Sequence, residues 1–166
     1  MLFCFKNLVP QRVCKRLSEF PFAELRDQGY RCALLDLDNT ISPDRAEEPN
    51  DYSHLVIRLL MDAGFACCLV SNAKSSRSRS FAAALGISHV AFAGKPSPKG
   101  VFKAMEMMNV VAEQTVLFGD QLFTDILAAR RAGVYAVLVE PYDKKEIFYV
   151  KFKRFFEYIV RKMCRF

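Results

Sequence analysis

Arg31-Cys32-Ala33-Leu34-Leu35-Asp36-Leu37-Asp38-Asn39-Thr40 runs through an apolar segment into two aspartates, an asparagine and a threonine. A strand with one wet face alternates polar and apolar residues, so a continuous apolar run bounded by turn-forming residues reads as a strand buried on both faces. Residues 32–37 are therefore predicted as a strand, and runs of the same kind follow at 65–70, 89–92, 115–118 and 135–139. Between them, 52–63, 76–85, 99–108 and 123–132 have helical spacing, and Gly64, Gly86 and Gly133 stand where a helix is followed by its preferred stop residue. Strand alternating with helix predicts an α/β domain, a central parallel sheet wrapped by helices.

The rest of the chain fits one such domain. With 166 residues, 52% hydrophobic and 25% charged, it is too short for two large domains and too apolar for wholesale disorder. No apolar run reaches the roughly 18 to 20 residues that span a bilayer. The opening ten residues are broken by Lys6 and Asn7 and do not read as a secretion signal. Six cysteines, Cys4, Cys14, Cys32, Cys67, Cys68 and Cys164, show no metal-finger spacing and are expected as reduced thiols of a cytoplasmic protein. The net charge of +6 sits at the ends: residues 142–166 hold eight Lys/Arg against three Asp/Glu, and the first 33 residues hold six against three. The chain divides into an N-terminal lead-in over 1–30, helical from about 11 to 28, a core over 31–141, and a basic tail over 142–166.

In an open parallel sheet, chemistry collects beyond the carboxyl ends of the strands. Here those positions hold Asp36 and Asp38, then Ser71 and Asn72, then Lys95-Pro96 ahead of the third helix, then Gly119-Asp120 and Asp125. Two aspartates two apart on an extended backbone point the same way, so Asp36 and Asp38 are expected to crowd one sheet edge. A hard divalent cation or a raised pKa relieves that repulsion. Lys95 and Ser71 offer donors suited to a phosphate. Four acids, a lysine and a hydroxyl around a cation have the composition of a phosphoryl-transfer site. Taken singly each piece is weak, since an Asp-x-Asp also caps turns and Ser-Asn also marks loops; their order, one after each strand, carries the reading.

Asp36-Leu37-Asp38-Asn39-Thr40 resembles the D-x-D-x-T nucleophile motif of the haloacid dehalogenase superfamily of phosphatases. Ser71, Lys95, and Gly119-Asp120 through Asp125 resemble its second, third and fourth motifs. The resemblance implies a Rossmann-like fold without a cap domain and dependence on Mg²⁺. Asp36 would be the nucleophile and Asp38 the acid/base. Asp36, Asp38 through its main-chain carbonyl, and Asp120 would hold the metal. Ser71, Asn72 and Lys95 would bind phosphate, with Thr40 and Asp125 in support. The stretch 119–125, the Asp38-Asn39-Thr40 variant, the Lys95-Pro96 step and the basic tail resemble more closely the YqeG-type branch, related to phosphatidylglycerophosphate phosphatases.

Spacing bears on the substrate without that resemblance. Only 34 residues separate Asp36 from Ser71 and 23 separate Ser71 from Lys95, which leaves no room for a lid domain. An uncovered site draws affinity from the surface around its mouth or from a bulky partner. In the tail, Phe148, Phe152, Phe155, Ile159, Met163 and Phe166 recur every three or four residues while Lys151, Lys153, Arg154, Arg161 and Arg165 fall elsewhere around the turn. That spacing predicts an amphipathic helix of about 20 residues, about 30 Å long. It would pack on the sheet or lie on an anionic membrane at its inner face; nucleic-acid binding is the less favoured use of the same charge. The expected activity is Mg²⁺-dependent phosphomonoester hydrolysis, on a phospholipid such as phosphatidylglycerophosphate or on soluble sugar or nucleotide phosphates, and a non-catalytic binding module is the alternative of another class.

Overall fold

A computed structural model describes residues 6–143, 148–164 and 166, and for 148–155 the backbone alone. Its strands are β1 (Arg12–Cys14), β2 (Cys32–Leu35), β3 (Ala66–Val70), β4 (Ser88–Val90), β5 (Thr115–Gly119) and β6 (Tyr135–Val139). They form one six-stranded sheet in the order β1-β6-β5-β2-β3-β4, every neighbouring pair parallel. The helices are α1 (Phe22–Asp27), α2 (Asp51–Asp62), α3 (Ser75–Leu85), α4 (Lys99–Met108), α5 (Leu127–Ala132) and α6 (Phe148–Cys164).

The unbroken apolar runs are explained by two buried faces. On β2, Ala33 and Leu35 pack into a cluster with Phe20, Phe22, Val56, Leu60 and Phe81, while Cys32 and Leu34 pack on the opposite side with Val101, Ala104, Ile126 and Ala129. Phe118 of β5 meets Phe20 and Phe22 edge-on at 5.4 and 5.8 Å between ring centres. Helix α2 starts where a capping box allows: Asn50 Oδ1 accepts the Ser53 N–H at 3.0 Å and Ser53 Oγ accepts the Asn50 N–H at 3.3 Å. After β2 the chain proceeds outward through β3 and β4, then crosses to β5 and β6 on the other side of β2. The strand order thus reverses between β2 and β5, and their carboxyl ends flank the crevice where ligands of such sheets bind.

Three expectations change. The lead-in is not a helix from 11 to 28: β1 adds to the sheet edge against β6, a 3₁₀ turn follows at Leu17–Glu19, and only Phe22–Asp27 is α-helical. Pro21 occupies the N-cap position of α1, and a proline cannot sit inside a longer helix without breaking it. Strand β2 ends at Leu35, because the Thr40 and Ile41 N–H groups turn back to the Leu37 carbonyl. The last core helix is preceded by a π turn at Leu122–Ile126.

Helix α6 docks through Glu157 and Val160, which lie outside the expected stripe, and Phe166 of that stripe follows it onto the core. Glu157 and Val160 are buried, Cys164 and Phe166 pack against the core, and Arg161 pairs with Glu140 at 2.5 Å. Phe156, Ile159 and Met163 remain 44%, 38% and 48% exposed. Cys4, Lys144 and Arg165, and the side chains of Phe148, Phe152, Phe155, Lys151, Lys153 and Arg154, lie outside the described residues. Among the described residues no helix is long and apolar enough to cross a membrane, and the described cysteines are free thiols.

Candidate active site

Asp36 follows β2 directly, and its N–H still bonds the Phe118 carbonyl at 2.9 Å, so the sheet ladder fixes where its side chain begins. The carboxylate is buried beside Lys95, whose Nζ lies 2.5 Å from Asp36 Oδ1 and 2.5 Å from Asp125 Oδ1. Thr40 Oγ1 donates to Asp36 Oδ2 at 3.4 Å. Asp120, just past β5, completes a group in which oxygens of Asp36, Asp120 and Asp125 all lie within 4.8 Å of one another.

Asp125 is held there by its surroundings. Its Oδ2 accepts the Gln121 N–H at 3.1 Å, and its Cβ lies only 2.3 Å from where a side chain on Gly119 would begin. Glycine at 119 is therefore a requirement of the close approach. Asn72 grips the main chain of Lys95 from both sides, donating to its carbonyl and accepting from its N–H, each at 2.9 Å. Ser71 Oγ accepts the Ala73 N–H at 3.0 Å and shapes the turn after β3. Ser71, Asn72 and Lys95 share a cleft of about 830 Å³ with Asp36, Asp38 and Arg77.

Asp38 does not join Asp36 as the extended backbone would have it. The chain turns after Leu35, Asn39 adopts the left-handed conformation at φ 59°, and the Asp38 carboxylate swings to Arg77. Arg77 forks onto both carboxylate oxygens, Nη1 to Oδ2 at 3.0 Å and Nη2 to Oδ1, while its Nε donates to the Ala46 carbonyl at 2.8 Å. The Arg45 N–H adds a further bond to Asp38 Oδ1 at 2.8 Å. Of the four acids expected around a cation, the carboxylates that converge are thus those of Asp36, Asp120 and Asp125, the last of which the family resemblance gave a supporting place. Arg77 itself gave no signal in the sequence: Lys74 stands at the N-cap of α3 and Arg77 and Arg79 lie within it, and which of them faces the site depends on how α3 is set against β2.

Burial pushes the Asp36 carboxyl up, to about 7; Lys95 opposes this and the Asp125 carboxylate adds to it. For Lys95 burial acts downward, but Asp125 and Asp36 outweigh it, and the ammonium is held above its ordinary range. Three buried carboxylates against one ammonium leave an excess of negative charge in a low-dielectric setting. The donors are all oxygen, which fits a hard divalent cation and not a soft one.

Residues 22–133 match the family model described as haloacid dehalogenase-like hydrolase. The chain is 29% identical over 151 residues to the Bacillus subtilis protein named "Probable phosphatase YqeG", covering 90% of this chain and 87% of that one. In structure it resembles the cobalt-bound deoxy-D-mannose-octulosonate 8-phosphate phosphatase YrbI of Haemophilus influenzae, with TM-score 0.55, 20% identity, and 76% of this chain and 75% of that one covered. It likewise resembles the Moraxella catarrhalis 3-deoxy-D-manno-octulosonate 8-phosphate phosphatase solved with magnesium, phosphate and KDO, with TM-score 0.55, 16% identity, and 69% and 71% covered.

Proposed function

This chain belongs to the haloacid dehalogenase-like hydrolase family and is a phosphatase, and we propose that it hydrolyses phosphomonoesters through a phosphorylated Asp36 with Mg²⁺ as its metal. The observation that carries the reading is the buried Asp36 carboxylate, paired with Lys95 and gathered with Asp120 and Asp125 at the reversal of strand order. Asp36, Asp120 and the main-chain carbonyl of Asp38 would hold the cation, with Asp125 beside them. When bound, such a cation offsets charge on the phosphoryl oxygens.

An Asp36 oxygen bonds to phosphorus as the bond from phosphorus to the substrate alcohol breaks, and the alcohol leaves with the proton of the Asp38 carboxyl, which carries that proton once it has turned out of the Arg77 fork. In the second half Asp38 takes a proton from water, the water oxygen bonds to phosphorus, and the bond to Asp36 breaks to release inorganic phosphate. Ser71 and Lys95 bind phosphate oxygens. Asn72, expected as a phosphate ligand, acts through Lys95, whose main chain occupies its amide on both sides.

The substrate is a phospholipid such as phosphatidylglycerophosphate, reached by peripheral contact with the inner face of an anionic membrane. The open cleft, the basic 142–166 segment and the exposed Phe156, Ile159 and Met163 support this. A soluble sugar phosphate is the second reading, favoured by the names of the two enzymes of like fold.

Turnover of p-nitrophenyl phosphate tests the mechanism. Asp36→Asn is expected to abolish it, and Asp38→Asn to slow it by roughly 10²- to 10⁴-fold, the usual worth of a positioned acid/base. A near-normal rate in Asp36→Asn sinks the mechanism. For the substrate, phosphatidylglycerophosphate in anionic vesicles should give a higher kcat/KM than sugar or nucleotide monophosphates; the reverse ranking selects the soluble class.

A further inference from the structure

Glu157 is a buried carboxylate that the proposed reaction does not use. It lies on α6, outside the residues 22–133 that carry the family likeness. Its Oε1 accepts the Leu122 N–H at 2.7 Å, a short charge-assisted bond to the segment that carries Asp120 and Asp125.

The peptide group it holds is informative. The Leu122 N–H belongs to the same rigid amide plane as the Gln121 carbonyl, and that carbonyl accepts the N–H groups of Asp125 at 3.0 Å and Ile126 at 3.2 Å. The plane is thus held at its oxygen end by the π turn and at its nitrogen end by α6. One residue earlier, the Gln121 N–H bonds Asp125 Oδ2, so the orientation of this short stretch sets where the Asp125 carboxylate points. Leu122 is fully buried, and without Glu157 its N–H would lack this acceptor.

We propose that Glu157 is a positioning residue through which α6 fixes the 120–126 segment and so sets the affinity of the acidic group for its cation. The proposal rests on the reading that Asp36, Asp120 and Asp125 gather around a divalent metal. Groups that orient metal ligands from outside are commonly worth about 10- to 100-fold in affinity.

The test is Mn²⁺ binding to the full-length protein, followed by equilibrium dialysis, with the Mg²⁺ half-saturation of p-nitrophenyl phosphate turnover alongside. Glu157→Leu, which removes the acceptor, is expected to weaken Mn²⁺ binding at least about tenfold. Glu157→Gln keeps an acceptor oxygen and is expected to stay within about threefold of wild type. A folded Glu157→Leu with wild-type affinity, or equal weakening by Leu and Gln, overturns the proposal. Should Glu157→Leu fail to fold, Glu157→Asp decides: its carboxylate is one methylene short, so a tenfold weakening supports the proposal and wild-type affinity overturns it. Wild-type protein that takes up no Mn²⁺ would instead overturn the metal reading, and this inference with it.

Discussion

At Gly119 the absence of a side chain decides where a neighbouring carboxylate sits. A methyl group there would begin 2.3 Å from Asp125 Cβ and 2.5 Å from its Cγ, so Asp125 would have to withdraw from Asp36 and Asp120. Gly119→Ala is expected to fold, because its backbone lies in an ordinary strand, and to lower turnover by about 10²-fold, the scale on which ångström displacements act. A Mg²⁺ titration of turnover beside a thermal melt checks this; unchanged turnover would mean that the position of Asp125 is immaterial. Asp36 and Asp38 show the same dependence on neighbours. Lys95, Asp120 and Asp125 surround one, and the Arg77 fork claims the other, although the two are separated by a single leucine.

Among the elements, α2 and α6 are fixed in place in different ways. Helix α2 returns the chain from the first motif to β3, and its start is fixed by the Asn50–Ser53 capping box, with Asn50 Nδ2 also donating to Tyr142 Oη at 3.3 Å. Asn50→Ala should cost about 1 kcal/mol, within the range for lost N-caps, and leave turnover unchanged. Urea unfolding measures the cost, and a loss below about 0.3 kcal/mol would show that the cap is dispensable. The sequence made α2 legible because its apolar spacing and the Gly64 that stops it are both local, whereas the Asn50–Ser53 cap came from the structure. Strand β1 was illegible, since Arg12-Val13-Cys14 is too short to show a period and becomes a strand only by pairing with Val137, Leu138 and Val139.

For the whole molecule, the position of α6 governs how the protein could meet a membrane. One face holds Glu157 and Val160 against the core while Phe156, Ile159 and Met163 stay exposed, so contact with an anionic surface does not require the helix to leave the domain. Replacing these three by serine should abolish sedimentation with anionic vesicles while p-nitrophenyl phosphate turnover persists. Vesicle binding of the unaltered protein should fall as salt rises, because screening shortens the reach of surface charge to about 10 Å at 0.1 M. Undiminished binding by the triple variant would remove the membrane contact from this face and shift the substrate towards the soluble class.

The sequence by itself determined the parallel sheet and the identity of the residues that stand at its carboxyl edge. Both follow from local patterns: apolar runs long enough to need two buried faces, and polar residues where each run stops. Asp36, Ser71, Lys95 and Asp120 were legible for that reason. Only the tertiary structure decided which side chains meet. Asp125 joins the acidic group because Gly119 leaves it room, Asn72 turns to the main chain of Lys95, Asp38 goes to Arg77, and Glu157 reaches the 120–126 segment from 35 residues beyond Leu122. Those outcomes depend on hydrogen-bond and charge partners brought together by helix packing, and sequence spacing carries no record of them.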